Sequence, residues 1–322
     1  MNILFAGTPK PSARILRALC ENELINVAGV LTKPDKPQKR GSKLEQSPVS
    51  IEAKERNLNI YKPADLYDVE LKKLILKLDI DFIIVAAYGK MLPKWLLNFP
   101  KIMPINIHYS LLPKYRGASP IQSSLLNGDL ISWITFMKML EGLDDGDLIK
   151  QYEINIKNNH NKITLENDMC DLSITKIFEL LSELMEGEYS LASQENDSAT
   201  YCKKIHKSES LINFKETADE IYNKFRAYYE WPGISFEHKN IVIKIKEMAI
   251  VEHDNTNFHD KDIILNKNGL FIKTIDKTIV INYLQMPNKN VISYSDAFNS
   301  YKDFFNEWFN FVLSLLIGVK EV

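Results

Sequence analysis

The run Asp81-Phe82-Ile83-Ile84-Val85-Ala86 decides the fold class, because every residue after the first is apolar. A strand with one wet face alternates. An unbroken apolar run, closed here by Ala87-Tyr88-Gly89, fits a strand covered on both faces of a parallel sheet. Upstream, Leu71, Leu74, Ile75 and Leu78 recur at helical spacing, and Val27 to Leu31 supplies another strand. Asn2-Ile3-Leu4-Phe5-Ala6 gives a further strand, closed by Gly7-Thr8-Pro9 ahead of a helix carrying Ile15, Leu16 and Leu19. Strands alternating with helices predict an α/β fold with an open doubly wound sheet, whose ligands bind beyond the carboxyl ends of the strands. Gly7 reads as a tight turn, since the Gly-x-Gly-x-x-Gly pattern of a dinucleotide site is absent.

In Ile105-Asn106-Ile107-His108 polar residues alternate with apolar ones, so both polar side chains share one face at the end of a strand. The chain continues Tyr109-Ser110-Leu111-Leu112-Pro113-Lys114-Tyr115-Arg116-Gly117, where Pro113 and Gly117 make a turn rather than a helix. Pro120 to Leu126 then reads as a helix. Strands at Ile131 to Met139 and Leu148 to Ile154 flank Gly142-Leu143-Asp144-Asp145-Gly146-Asp147. Asp and Gly are ordinary turn formers, and alone this run reads as solvent-facing. Paired with Asn106 and His108, it adds a carboxylate to an amide and an imidazole. Those are the parts that stabilise an oxyanion and move a proton at an attacked carbonyl.

These segments resemble the signature of the folate-dependent formyltransferases, Asn-x-His-x-Ser-Leu-Leu-Pro-x-x-Arg-Gly followed by Gly-Leu-Asp-x-Gly-Asp. Phe5 to Pro9, Thr32-Lys33-Pro34-Asp35 with Arg40-Gly41 and Ser47-Pro48-Val49, Ala87 to Pro93, Trp231-Pro232 and the Leu284-Gln285 strand match that family in order and spacing. The resemblance covers nearly the whole chain. It implies a Rossmann-like, doubly wound, mostly parallel sheet with a C-terminal OB-like β-barrel domain. It also implies a one-carbon transferase with 10-formyltetrahydrofolate as co-substrate and initiator methionyl-tRNA as acceptor.

By the same resemblance Asn106 and His108 donate to the oxyanion, while Asp144 holds His108 and takes the proton from the attacking amine, directly or through a water. Ala87, Tyr88, Gly89, Met91, Leu92, Ser110, Leu111, Leu112, Pro113 and Asp144 are expected around the folate, with small residues letting a flat ring approach the backbone. The Leu112-Pro113 bond is expected to be cis. No metal is implied, and the six histidines are scattered without ligand spacing. Three departures stand out. Tyr109 replaces a small residue and Trp133 a position often Gly, both expected to narrow the cavity, and Lys10-Pro11 replaces an acidic-Phe pair.

At 322 residues the chain is long for one core, and two domains are expected: a catalytic domain over 1–187, a linker over 188–204 and a nucleic-acid-binding domain over 205–322. The polar run Gly187 to Ser198 carries the linker reading. Before it, Ile163 to Met185 reads as a long helix. Beyond it come a helix near Ala218 to Tyr229, short strands at Ile234 to Phe236, Ile241 to Ile245, Gly269 to Ile275 and Thr278 to Leu284, and a final helix rich in Phe. Short strands at such intervals suggest a small barrel.

Hydrophobic residues make up 45%, charged ones 25%, and the formal net charge is -2, an ordinary globular composition. Three widely spaced cysteines, Cys20, Cys170 and Cys202, argue against a disulfide framework and for a reducing cytoplasm. Asn2 is the only polar residue before an apolar start, and no apolar run approaches the ~20 residues of a bilayer span, so neither export nor a membrane is expected. The enzyme is expected to act as a monomer. From Lys203 onward there are 16 Lys+Arg and 16 Asp+Glu, so charge alone does not announce nucleic acid. The basic stretch lies elsewhere, in the polar loop Thr32 to Ser47. The resemblance sets that loop against the tRNA acceptor end, with Arg40 on the arginine that contacts it, and the basic charge of the loop makes Lys36, Lys39 and Lys43 expected contacts as well.

Two rival readings remain. A nucleotide-sugar N-formyltransferase shares Asn106, His108 and Asp144, but the basic loop and the Trp231-Pro232 domain favour tRNA. A nucleic-acid-binding protein with an inactive α/β domain is opposed by the complete set of reactive residues.

Overall fold

The structure is a computed structural model, and it describes residues 1–37, 44–252, 258 and 262–306. The chain forms two compact units, Met1–Ser124 with Asp129–Lys204, and Leu125–Gly128 with Ile205–Val322.

The elements up to residue 204 follow in order: β1 (Asn2–Gly7), α1 (Lys10–Glu21), β2 (Asn26–Leu31), β3 (Lys36–Pro37), β4 (Leu44–Glu45), α2 (Pro48–Glu55), β5 (Ile60–Tyr61), α3 (Val69–Ile75) and β6 (Phe82–Ala86). After them come α4 (Lys94–Leu97), β7 (Met103–His108), β8 (Arg116–Gly117), α5 (Pro120–Leu126), β9 (Ile131–Lys138), β10 (Leu148–Asn155), α6 (Lys162–Glu186) and β11 (Tyr201–Cys202). Seven strands make one sheet in the order β10-β9-β7-β6-β1-β2-β5. The five strands from β7 to β5 are parallel, and β9 and β10 are antiparallel additions at one edge.

All five residues of β6 and all six of β7 are buried, as their apolar runs require. On one face Leu4, Ala6, Ile83, Val85 and Tyr88 pack with Leu71 and Ile75 of α3 and Leu96 of α4. Ile83 is fully enclosed there, and truncating such a side chain to Ala costs about 2–5 kcal/mol. The 25-residue α6 starts at a capping box: Asn161 accepts from the backbone of Thr164, whose hydroxyl receives the Asn161 N–H. Strand order reverses between β1 and β6, so the crevice where such sheets bind ligands lies at their carboxyl ends. Thr8 Oγ1 donates to the Tyr88 carbonyl at 3.0 Å, tying those two ends together.

The segment 188–204, expected as a linker, is bonded into the first unit. Ala192 and Leu148 exchange backbone hydrogen bonds of 2.8 and 3.0 Å, β11 runs parallel to β8, and Arg116 N donates to the Thr200 carbonyl at 2.8 Å. The polar side chains of Gln194, Asn196 and Thr200 add hydrogen bonds to the same unit, which is why composition imitated a solvated spacer.

The second unit holds α7 (Ala218–Ala227), β12 (Ile234–His238), β13 (Ile241–Val251), β14 (Ile263–Asn266), β15 (Gly269–Lys273), β16 (Thr278–Gln285), β17 (Val291–Ser293) and α8 (Tyr294–Asn306). Its antiparallel sheet runs β12-β13-β16-β15-β14, with β17 on β16. Among the described residues β12 and β14 each pair with one strand only, and the sheet is a curled half-barrel rather than the expected barrel. Thr217 and Glu220 cap α7 reciprocally.

Candidate active site

Asn106 and His108 stand at the carboxyl end of β7, 9% and 6% exposed, with Val85 opposite Asn106 on β6 and Thr135 opposite His108 on β9. Asp144 lies in the turn between β9 and β10 at φ 50. Asn106 Nδ2 donates to Asp144 Oδ1 at 3.2 Å, and the Gly117 N–H donates to Oδ2 at 2.8 Å. His108 Nδ1 is 3.6 Å from Oδ2. Its Nε2 is 2.9 Å from the Tyr115 carbonyl, and since a carbonyl only accepts, Nε2 carries a hydrogen there. The structure thus brings the three expected reactive side chains into one cluster. Asn106 keeps one amide hydrogen and Asp144 keeps free lone pairs for a reactant.

Around them lies a network that the sequence did not announce. Gln194 Nε2 donates to the carbonyls of Asp144 and Gly146 at 2.9 and 2.6 Å. Its Oε1 accepts from Arg116 Nε and Nη2 at 3.0 and 2.8 Å, and Nη2 also donates to Asn196 Oδ1. Thr135 Oγ1 donates to the Ser110 carbonyl at 2.6 Å, and Gln151 Nε2 donates to Thr135 Oγ1 and to the Leu112 carbonyl. Two glycines are required here. At Gly117 (φ 117) a Cβ would collide with the Cys202 carbonyl, and at Gly146 with the Lys138 carbonyl.

The residues expected around a folate divide into two groups. Ala87 (φ 48) and Gly89 (φ 71) present exposed backbone at the end of β6, and Met91 and Leu111 are exposed apolar side chains. Tyr88 and Leu92 instead send their side chains into the core beside Leu66 and Leu96, so only their backbone is available. The Tyr88 hydroxyl is buried without a partner among the described residues, and burial pushes it up to about 12. Ser110 and Leu112 are buried and hold the turn, with Ser110 Oγ donating to the Lys114 carbonyl at 2.5 Å, while Pro113 follows a cis bond from Leu112. A depression of about 370 Å³ adjoins the Asp144 turn, lined by Lys94, Leu97, Met139, Leu140, Gly142 and Asp145 among others, but not by Asn106 or His108.

Lys33 Nζ occupies the space over Gly89 where a Cβ would stand. Burial, aided by the nearby cations Lys36, Lys204 and Lys90, lowers its pKa. Lys36 is exposed in β3; Lys39, Arg40 and Lys43 lie outside the described residues.

Tyr109 does not narrow this site. Its hydroxyl meets Ser173 and Cys170 of α6, and burial raises its pKa. The pleat that puts Asn106 and His108 on one face turns Ile107 and the residue after His108 to the other. Trp133, half-buried on β9, lies two residues from Thr135 and so on the face that carries His108.

Two family descriptions match the chain, "Formyl transferase" over residues 1–180 and "Formyl transferase, C-terminal domain" over 204–302. A methionyl-tRNA formyltransferase of Caldicellulosiruptor saccharolyticus is 39% identical over 305 residues, covering 94% of this chain and 97% of that protein. One from Sulfurihydrogenibium sp. is 36% identical with the same coverage. In fold the chain is similar to an N-formyltransferase from Helicobacter canadensis solved with folinic acid and dTDP-3-aminofucose, at 19% identity and a TM-score of 0.64 over 88% of this chain and 98% of that one.

Proposed function

The chain belongs to the formyl transferase family, and on that premise we propose that it transfers the formyl group of 10-formyltetrahydrofolate to the amino group of methionyl initiator tRNA, yielding N-formylmethionyl-tRNA for translation initiation. The observation that carries the chemistry is the approach of Asn106 and His108 to the Asp144 carboxylate, at 3.2 and 3.6 Å. The acceptor is argued from the methionyl-tRNA formyltransferases that align over nearly the whole chain.

The neutral amine of methionine attacks the formyl carbon, and the carbonyl electrons move onto oxygen. Asn106 stabilises that oxyanion with the Nδ2 hydrogen not given to Asp144. His108 holds the Tyr115 carbonyl through Nε2–H, which leaves Nδ1, 3.6 Å from Asp144 Oδ2, as the ring nitrogen that faces the reacting carbonyl. Hydrogen bonds of this kind tighten when a reactant binds. Asp144 accepts the proton lost by the attacking amine. Collapse of the intermediate breaks the bond from the formyl carbon to the folate nitrogen, which takes up the proton that Asp144 accepted, leaving tetrahydrofolate and the formylated amine. Each oxyanion donor is worth about a hundred- to a thousandfold in rate.

The folate is read against the backbone of 87–89 and the turn at 110–113. Lys36, Lys39, Arg40 and Lys43 are read as phosphate contacts for the acceptor end of the tRNA, with 205–322 as the further tRNA-binding domain. We place the activity in the cytoplasm, where its product would be used. Among the described residues no helix is long and apolar enough to cross a membrane.

The likeness in fold to an enzyme solved with an amino-sugar nucleotide motivates a control. Charged initiator tRNA and dTDP-3-aminofucose are offered side by side with 10-formyltetrahydrofolate. Formyl on tRNA alone is expected; formyl on the sugar alone would keep the three reactive residues and overturn the acceptor.

A further inference from the structure

Resting on that reading of the reaction, we propose that Gln194 is a positioning residue: its carboxamide fixes the turn that carries Asp144, and Arg116 fixes the carboxamide. Both hydrogens of the Gln194 amide are spent on the carbonyls of Asp144 and Gly146, and its oxygen takes two bonds from the Arg116 guanidinium. The amide cannot flip. Reversed, its NH2 would face guanidinium donors and its oxygen would face two carbonyls.

The turn needs such a fastening. Asp144 has a positive φ, a conformation that persists in a non-glycine residue only when its surroundings over-determine it. On one side the turn lies close against β9, where a Cβ on Gly146 would collide with the Lys138 carbonyl. On the other, Gln194 binds two of its carbonyls at once. Arg116 is 2% exposed, and its guanidinium donates to the neutral amide oxygens of Gln194 and Asn196. A buried cation pulling on Oε1 polarises the amide and strengthens its donation to the turn. The reactive carboxylate is therefore set by a residue 50 positions away in sequence, on a segment outside the sheet.

The test compares Gln194→Glu with Gln194→Met. Glutamate keeps an acceptor for Arg116 but turns an oxygen toward the two carbonyls; methionine fills the space and bonds neither. Both variants are expected to melt within a few degrees of wild type. Each should lose about 10- to 100-fold in kcat, the scale of a misplaced reactive group, with little change in KM for 10-formyltetrahydrofolate. A second readout needs no substrate. The NMR resonance of the Asn106 side-chain amide, whose hydrogen bonds to Asp144 Oδ1, is expected to move in both variants. Wild-type kcat together with an unmoved Asn106 resonance in the glutamate variant would overturn the proposal. Unfolding of both variants would overturn it too, by assigning Gln194 to stability rather than placement. A wild-type chain inactive on tRNA would count against the functional reading, and the Asn106 resonance would then decide the positioning role by itself.

Discussion

The backbone N–H of Gly117 donates to Asp144 Oδ2 at 2.8 Å while Asn106 Nδ2 donates to Oδ1 at 3.2 Å, so both oxygens of one carboxylate are claimed by donors on separate segments. A carboxamide cannot meet that demand, because one of its ends would set NH2 against an N–H. Asp144→Asn is therefore expected to lose alignment as well as the proton acceptor. Formyl transfer should fall by about 10²- to 10⁴-fold with the melting temperature nearly unchanged. A variant within tenfold of wild type would remove Asp144 from the proton-transfer role.

Tyr109→Phe deletes the hydroxyl that meets Ser173 and Cys170 on α6. Because that contact lies on the far side of β7 from Asn106 and His108, kcat and KM should stay within about twofold. Stability should fall by about 1 kcal/mol, the scale of one hydrogen bond. Urea unfolding and steady-state kinetics on one preparation measure both, and a large change in KM with stability intact would return Tyr109 to the cavity.

Glu52, in α2, is 5% exposed and accepts from Arg17 at 3.0 and 2.6 Å and from Arg56 at 2.7 Å. The hydrogen bond from Arg17, more than any other influence, holds its carboxyl below the usual glutamate value, with Arg56 adding to it. A lowered folded-state pKa gives stability that is fully present above the unfolded-state value and is lost as pH falls through the folded one. Glu52→Gln should cost about 1–2 kcal/mol at pH 7, and the gap to wild type should narrow in acid, below about pH 4. A gap that stays constant from neutral pH into that range would contradict the assignment.

Lys36 is exposed in β3. If it meets a tRNA phosphate, Lys36→Ala should weaken binding regardless of acceptor-stem sequence and reduce the slope of log affinity against log salt by about 1. Filter binding across a salt series reads the slope directly, and an unaltered slope would take Lys36 out of the interface.

The core strands were legible because burial on both faces leaves a composition that loops do not share, and β6 and β7 are enclosed along their whole length. Asn106 and His108 were legible for a related reason: alternation alone puts them on one face. Applied one residue further, the same alternation would have turned Tyr109 away from the site. Elsewhere the signal was too short or too distant. Strands β14 and β17 have four and three residues, which cannot display a period, and β13 runs eleven residues where five were expected. Gln194 and Arg116 meet across 78 positions, through polar side chains whose partners no local pattern encodes.

The parallel pairing of β11 with β8 bears on how the protein is made. The seven-stranded sheet is complete once Asn155 has emerged from the ribosome, and α6 is complete at Glu186. The Gly117 loop and the Asp144 turn still lack Gln194, Thr200 and Cys202 at that stage. A chain ending near residue 187 would therefore carry the whole sheet and α6 without the fastening of the Asp144 turn, and a fragment meant to keep that fastening should extend to about residue 204, where the first compact unit ends.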